Sequence, residues 1–337
     1  MIGNRFRPWG ELEWLLPKLP SVKWDIFSCL SPENRFVATF DILQEKVKIN
    51  NALFLKIVDP PSKDSDDIKF KLEANEVILK ESKVQCDIEE HELLEPYKKI
   101  VDTTNAFLRK SNGNVIVDIS TFPKRFFFPI VKLLIKGNLK NLVITYSTPK
   151  QYCSTELSSN PQSWDHLPLF MPVDFPEPQI DVALVGVGFM PFGLPELLLS
   201  NYNATPVKFL FPFPPGPPNY QRTWDFVRKI EKSFSFKPSD SIIRLDANNM
   251  PDAFEYISRE TNEGAKNVIF APYGPKPISL AMCIHAVLHN SLVYYTQPTH
   301  YSPEYSTGVK DTFAYAIVID SKNLYQQATV ASMEEFQ

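Results

Sequence analysis

Two stretches of the sequence decide the fold: residues 114–135, NVIVDISTFPKRFFFPIVKLLI, and residues 267–288, NVIFAPYGPKPISLAMCIHAVL. Each begins with a short apolar run of the kind that forms a buried strand. A loop containing a Pro-Lys pair follows, and then an apolar segment long enough for a helix. Such strand–loop–helix units build α/β proteins. The two stretches therefore predict the same unit twice in one chain.

The repeated pattern extends outward from both stretches. Strands are predicted in the first half at 24–29, 52–58, 84–87, 114–119 and 141–146, and in the second half at 181–187, 207–211, 241–245, 267–270 and 291–295. The fold predicted is α/β: two tandem Rossmann-like parallel-sheet units that form an intramolecular pseudo-dimer. The first unit spans 1–150, a linker spans 151–177 and the second unit spans 178–337. Chance convergence of two similar units is the alternative to a tandem duplication.

Composition limits the class of protein. The 337 residues carry a formal net charge of −4, which argues against a broad duplex-DNA surface but not against a focused anion pocket. The 4 cysteines form no CxxC pair. The amino-terminal segment lacks the features of a signal peptide, and no apolar run is long enough to span a bilayer. These features predict a cytoplasmic protein without a membrane partner.

Ligands of open parallel sheets bind where strands end and helices begin. In the first unit that position holds Asp118, Ser120, Thr121, Lys124 and Arg125. Hydroxyls, backbone N–H groups and two cations would share one anion-sized space there. A cation at a helix amino terminus opposes the helix dipole, so this pair favours a bound anion. The alternative is that both cations point into solvent.

The second unit offers two loops of the same kind. Gly186 and Gly188 follow its first strand and allow a ligand to approach the backbone, but a Gly-x-Gly pair alone equally fits a tightly packed turn. Lys124 and Lys276 occupy equivalent positions at the start of a helix in the two repeats, and this equivalence is the most specific indication of function in the sequence. The loop before the apolar helix supplies four more candidate ligand-binding residues: Tyr273, Gly274, Lys276 and Ser279.

A third group of candidates follows the strand at 291–295. Tyr295, Gln297 and Tyr301 could stack on and bond to a base, or could close the rim of the domain. His285 and His289 are four residues apart in an apolar helix, where packing is favoured over metal binding. No nucleophile, metal-protease or phosphate-loop motif occurs, so no catalytic residue, cofactor or metal is predicted. Whether the protein is an enzyme stays open.

The Gly274-Pro275-Lys276 loop, its helix and the following YYTQP strand resemble those of CRISPR-associated Rossmann-fold (CARF) domains. Those domains carry a Gly-Gly-Thr-Lys-type turn here, so Gly274 and Lys276 match it, while Pro275 replaces the threonine. Thr121 and Lys124 match the turn more loosely, without its glycines. CARF domains pair to bind cyclic oligonucleotides, and the related SAVED domains join two units in one chain.

The resemblance implies a nucleotide- or oligonucleotide-binding sensor of a prokaryotic antiviral defence system. It also implies a separate effector protein, because no effector domain is visible in the sequence. A stand-alone enzyme that processes a nucleotide or phosphodiester is one alternative. A scaffolding subunit with a degenerate pocket is another, with the proline-rich segment at 209–218 as its partner surface.

Overall fold

The computed structural model describes residues 6–171, 179–200, 202–213 and 220–326. It is a mixed α/β structure with two main sheets. The strands are β1 (Trp9–Glu11), β2 (Lys23–Leu30), β3 (Lys48–Val58), β4 (Cys86–Glu92), β5 (Asn114–Asp118), β6 (Asn141–Tyr152), β7 (Ser158–Pro161), β8 (Asp165–His166), β9 (Val182–Gly186), β10 (Val207–Phe213), β11 (Ser241–Asp246), β12 (Val268–Pro272), β13 (Leu292–Tyr295), β14 (Pro298–Tyr301), β15 (Ser306–Ile319) and β16 (Lys322–Asn323). The α-helices are α1 (Leu12–Leu15), α2 (Ala38–Lys46), α3 (Ser65–Lys80), α4 (Tyr97–Lys110), α5 (Lys124–Lys136), α6 (Leu194–Ser200), α7 (Tyr220–Glu231), α8 (Met250–Glu260) and α9 (Lys276–His289).

The two main sheets share one strand order. In the first, parallel strands run β4-β3-β2-β5-β6, and in the second they run β11-β10-β9-β12-β13. Numbered within each sheet, both orders are 3-2-1-4-5, the order of a doubly wound Rossmann-like sheet. The central strands are buried along their length because helices cover both faces of such sheets. A crevice opens at the carboxyl ends of β2 and β5 and of β9 and β12, where the winding direction changes.

The last long strand does not belong to the second unit, and the predicted boundary at 178–337 is wrong in this respect. β15 runs antiparallel to β6 of the first sheet, and β1 pairs with the other edge of β15. Residues 312–319, TFAYAIVI, form an apolar run typical of a strand, but such a run does not select the sheet that the strand joins. The chain therefore returns to the first unit after completing the second.

The predicted linker at 151–177 is also more structured than expected. β8 pairs with β13 at the edge of the second sheet, and β7 pairs with β14 in a separate two-stranded ribbon. Residues 172–177 of this segment, and 214–218 of the proline-rich segment, lie outside the described residues. Within the described part of the chain, no helix is both long and apolar enough to cross a bilayer.

Helices α5 and α9 pack against each other between the two sheets. Consecutive aromatic residues of α5, Phe126, Phe127 and Phe128, belong to the same buried cluster as Ile278 and Met282 of α9. Burial on every side explains why α9 is apolar all round instead of having one polar face. This contact brings the turns that precede the two helices together.

Candidate functional site

Two cavities lie at the carboxyl ends of the parallel strands. The larger, of about 620 Å³, is bordered mainly by the second unit, and the smaller, of about 130 Å³, mainly by the first. Ligand pockets typically have about 300–1,000 Å³, so the larger cavity is of a size for a small molecule. Six residues border both cavities: Arg35, Lys124, Lys276, Tyr295, Tyr301 and Tyr305. The cavities therefore meet at a cluster of cations and tyrosines.

The two lysines predicted from the sequence each contact the turn of the other unit. Lys124 Nζ, at the start of α5, donates to the carbonyl of Gly274 at 3.1 Å. Lys276 Nζ, at the start of α9, donates to the carbonyls of Ile119, Ser120 and Phe122 at 2.7, 2.8 and 2.6 Å. Each unit therefore donates a lysine to the other, but Lys124 forms one hydrogen bond across the contact and Lys276 forms three.

Lys276 is held as a structural cation. Burial lowers the pKa of its ammonium well below the usual value, and the charge of Arg35 lowers it further. Its three close carbonyl acceptors nevertheless require three N–H donors, which only the charged form supplies. Because these carbonyls use all three donors, the Lys276 ammonium joins the two units.

Lys124 is less fully engaged. Burial lowers the pKa of its ammonium to about 7. Besides Gly274, its Nζ lies 5.2 Å from the ring centroid of Tyr295, within the range of a cation–π contact. An anion in the cavity would stabilise the charged form, so Lys124 is the cation best suited to contact a ligand.

From the sequence, Arg35 could either face a ligand after the first strand or simply belong to a well-formed helix start. In the structure it is a buried cation at the junction of the two cavities. It forms a two-pronged pair with Glu33, at 2.9 and 3.1 Å, and donates to the carbonyl of Ser147 at 3.1 Å. Ser306, from the strand that returns to the first sheet, also donates to Glu33. The pair compensates both charges and fixes the wall between the cavities.

Aromatic side chains form much of the larger cavity wall. Tyr146 and Tyr152 come from β6, and Phe189 comes from the loop after β9. The Tyr152 and Phe189 rings are 5.3 Å apart at 75°, and those of Tyr152 and Tyr305 are 6.1 Å apart at 77°. Aromatic faces of this kind can stack on nucleic acid bases.

Of the first-unit candidates, Thr121 and Lys124 border a cavity, whereas three others do not border either one. Asp118 accepts hydrogen bonds from the backbone N–H and the hydroxyl of Ser120, and both residues are buried beneath the turn. Arg125 donates to the carbonyl of Glu95 at 2.9 Å. These three side chains shape the turn instead of facing the cavities.

The predicted glycines bring two loops together. A Cβ atom on Gly188 would lie 2.0 Å from the carbonyl oxygen of Tyr273, and one on Gly186 would lie 3.2 Å from the backbone nitrogen of Gly274. The small size of these glycines therefore serves the contact between the loops after β9 and β12. Gly188 and Gly274 also border the larger cavity, so a ligand there would meet backbone.

The remaining candidates surround the tyrosine cluster. Tyr273 borders the larger cavity and donates its hydroxyl to the carbonyl of Phe192 at 2.6 Å. Gln297 donates to the hydroxyl of Tyr301 at 2.8 Å and positions that ring without bordering a cavity itself. Ser279 donates to the carbonyl of Gly274 at 3.3 Å and supports the turn.

Two titratable groups near the smaller cavity differ in chemical use. Burial raises the pKa of the Asp59 carboxyl to about 6, so it exchanges protons near neutral pH. Burial raises the pKa of the Cys29 thiol to about 12, which makes it a poor nucleophile.

The structure gives no support for metal binding by the histidine pair of α9. Burial lowers the pKa of His285 to about 3, and its ring bonds to the Thr261 hydroxyl at 2.8 Å. Among the described residues, no group of three or more metal-binding side chains occurs.

Sequence reasoning did not select several residues that border the larger cavity. Tyr146 ends the predicted strand 141–146, whose apolar pattern indicated only core, whereas Tyr152 lies in the segment predicted as a linker. Thr223 and Asn248 belong to no recognisable motif. The turns before the two helices were predictable because glycine or proline stands next to each lysine. No comparable signal exists for a residue that reaches a cavity only through tertiary packing.

Comparisons with known proteins do not assign the chain to a family. No protein-family model and no curated protein matches it. One solved structure, assigned as a universal stress protein from Pseudomonas aeruginosa UCBPP-PA14, is 11% identical, with coverage of 82% of this chain and 93% of that chain. Its TM-score is 0.25, so no conclusion about this protein rests on the likeness.

Proposed function

We propose that the protein binds a nucleotide or oligonucleotide in the cleft between its two sheets and acts as a sensor for a separate effector protein. One observation carries this proposal: Lys124, partly neutral and held by one carbonyl, borders a cavity of about 620 Å³ whose walls are rich in tyrosine. A cation beside stacking surfaces fits a ligand with both phosphate and base.

The two lysines have different roles in this proposal. Lys124 meets a phosphate, which restores its charge and replaces or shares the Gly274 carbonyl. Lys276 keeps the two turns together, because its three donors are already engaged. The tyrosines at 295, 301 and 305 stand where both cavities meet and supply ring faces for bases.

The pseudo-dimer remains part of the proposal. The shared 3-2-1-4-5 strand order and the reciprocal lysine contacts support a tandem duplication in which each half supplies one turn to the cleft. The antiviral role rests on the resemblance of the Gly274-Pro275-Lys276 turn to CARF domains. It predicts that bound nucleotide changes the affinity of the protein for an effector encoded nearby.

Isothermal titration with a panel of cyclic and linear oligonucleotides tests the binding proposal. We expect one class to bind, and Lys124→Met to weaken that binding at least about tenfold, the effect of losing one charge-assisted bond. Lys132→Met is the matched control. Lys132 lies two turns further along the same helix and borders neither cavity. Equal affinity in the Lys124 variant and the control would refute the proposal.

A nucleotide-processing enzyme is the second candidate, and Asp59 favours it. Its carboxyl, with a pKa of about 6, borders the same small cavity as Lys124, whose pKa is about 7. Groups that exchange protons near neutrality are suited to acid–base catalysis. Incubation with cyclic oligonucleotides, followed by chromatography for linear products, separates a binder from an enzyme. Loss of product in Asp59→Asn would support the second candidate.

A further inference from the structure

The strand that returns to the first sheet, β15, carries a β-bulge at the wall of the larger cavity. Between Val309 and Thr312 its register against β6 shifts by one residue. Lys310 and Asp311 therefore lie together opposite the single residue Thr148. All three of these residues border the larger cavity. Bulges are frequent beside ligand sites, where they redirect side chains, so this one indicates a role in the site.

The bulge explains why both Lys310 and Asp311 border the cavity. In a regular strand neighbouring side chains point to opposite faces of the sheet, whereas the extra residue of a bulge bends the strand. A side chain of the adjacent strand fixes the bend. The Thr148 hydroxyl donates to the carbonyl of Asp311 and accepts from its backbone N–H, both at 3.0 Å. These two bonds pair backbone groups at the point where the bulge interrupts the ladder.

The cations of the larger cavity differ in how fully they are engaged. Among the described residues, those that border it are Arg35, Lys124, Lys276 and Lys310. Arg35 is held by a carboxylate and a carbonyl, and Lys276 is held by three carbonyls. Lys310, by contrast, has a side chain that is 59% exposed, and its Nζ lies 3.7 Å from the Asp311 carboxylate. Exposed ion pairs contribute little to stability, so Lys310 can exchange this carboxylate for a ligand anion at small cost.

We propose that Lys310, presented by the bulge, is a second phosphate-binding residue of the cleft, and that the ligand carries at least two phosphate groups. The inference rests on the proposed nucleotide binding and makes it narrower. Lys124 lies where the two cavities meet, whereas Lys310 borders only the larger one, so we assign one phosphate to each lysine. Thr148 is a positioning residue, because it acts through the bulge that presents Lys310.

Isothermal titration with the linear dinucleotides pApA and ApA, which differ only by the 5′-phosphate, tests the second position. We expect the wild-type protein to bind pApA at least about tenfold more tightly than ApA, the effect of one charge-assisted bond. Lys310→Met should lower the affinity for pApA to about that for ApA and leave the affinity for ApA unchanged. Lys322→Met is the matched control, because Lys322 is an exposed lysine on β16, which pairs with β15, and borders neither cavity. This control should bind both dinucleotides as the wild type does.

A double-mutant cycle tests whether the bulge positions Lys310. Thr148→Val keeps the shape of the side chain but removes both hydrogen bonds to the Asp311 backbone. We expect it to weaken pApA binding roughly three- to tenfold, the effect of about one hydrogen bond. In the Lys310→Met background the same substitution should have no further effect, because the two residues act through one contact. An equal loss in both backgrounds would overturn the role of the bulge, since Thr148 would then support the cavity independently of Lys310.

The outcomes distinguish this inference from the proposed function. If the wild type binds pApA and ApA equally, or binds neither while another oligonucleotide of the larger panel binds, the second phosphate position is overturned and nucleotide binding stands. The same holds if Lys310→Met binds pApA as the wild type does, or if it weakens both dinucleotides equally, since Lys310 would then act only through its general charge. If the wild type binds no oligonucleotide at all, both proposals fail.

Discussion

Lys124 and Lys276 each donate to the turn that leads into the other's helix. Lys124 Nζ reaches Gly274 O at 3.1 Å, and Lys276 Nζ reaches Phe122 O at 2.6 Å. Both units therefore depend on a cation from the opposite unit. The two lysines differ in the number of carbonyls that they contact. Lys276 donates to three, whereas Lys124 donates to one and borders the larger cavity, so we assign them different roles.

Replacing Lys276 by methionine should destabilise the protein strongly. Three carbonyl groups at the contact between the units would lose their donor, and each unpaired buried group costs about 1–3 kcal/mol. Lys124→Met loses one hydrogen bond, which destabilises the protein, but it also removes a desolvated amine, which stabilises it. We therefore expect the free energy of unfolding to change by no more than about 1 kcal/mol. Chemical denaturation of both variants measures the difference, and equal losses would contradict the assigned roles.

Ligand binding should depend on pH through Lys124. Burial sets its pKa at about 7, below the ordinary lysine value, so the free protein loses this charge as pH rises through 7. A bound phosphodiester favours the ammonium, and binding above pH 7 should therefore take up a proton. Affinity should be constant below pH 7 and fall up to about tenfold per pH unit above it. Titrations from pH 6 to 9 in buffers of different ionisation enthalpy measure both effects, and an equally steep fall in Lys124→Met would exclude Lys124 as the cause.

Gly188→Ala should damage both the fold and the cavity. Its new Cβ would lie 2.0 Å from Tyr273 O, a backbone atom that cannot rotate away. We expect a loss of about 3 kcal/mol, at the upper end for overpacking. Gly186→Ala, with a closest contact of 3.2 Å, should lose less. Thermal melting of the two variants ranks them, and the reverse order would show that the two loops do not approach as described.

Residues 1–150 should not fold on their own, although they contain four of the five parallel strands of the first sheet and most of β6. β6 would lose β15, which pairs with it along most of its length and belongs to the far end of the chain. The exposed edge of β6 would favour aggregation. Circular dichroism and gel filtration of the fragment, alone and co-expressed with 151–337, measure the effect. A soluble, cooperatively melting fragment would contradict this account of the sheet.

The sequence allowed prediction of the parallel α/β architecture because buried strands and apolar helices have distinct lengths and periods. NVIVD and NVIF became β5 and β12, and both Pro-Lys turns lie at the start of the predicted helices. Assignment of β15 to a sheet was not possible. Its pairing with β6 joins residues more than 150 positions apart, and a local pattern carries no information about so distant a partner.

The candidate site was predictable only where local chemistry is unusual. A lysine at a helix amino terminus conflicts with the helix dipole, and this conflict identified Lys124 and Lys276. The same reasoning did not show that Lys276 binds carbonyls, because its acceptors belong to a turn 154 residues or more away.

Titration of wild type, Lys124→Met and Lys132→Met with cyclic and linear oligonucleotides at pH 7 tests the central claim most directly. We predict that the wild type and the Lys132 variant bind the same oligonucleotide with equal affinity, and that the Lys124 variant binds it at least about tenfold more weakly while melting normally. Absence of oligonucleotide binding to the wild type, or equal affinity in all three proteins, would contradict the assignment of this cleft as a nucleotide site.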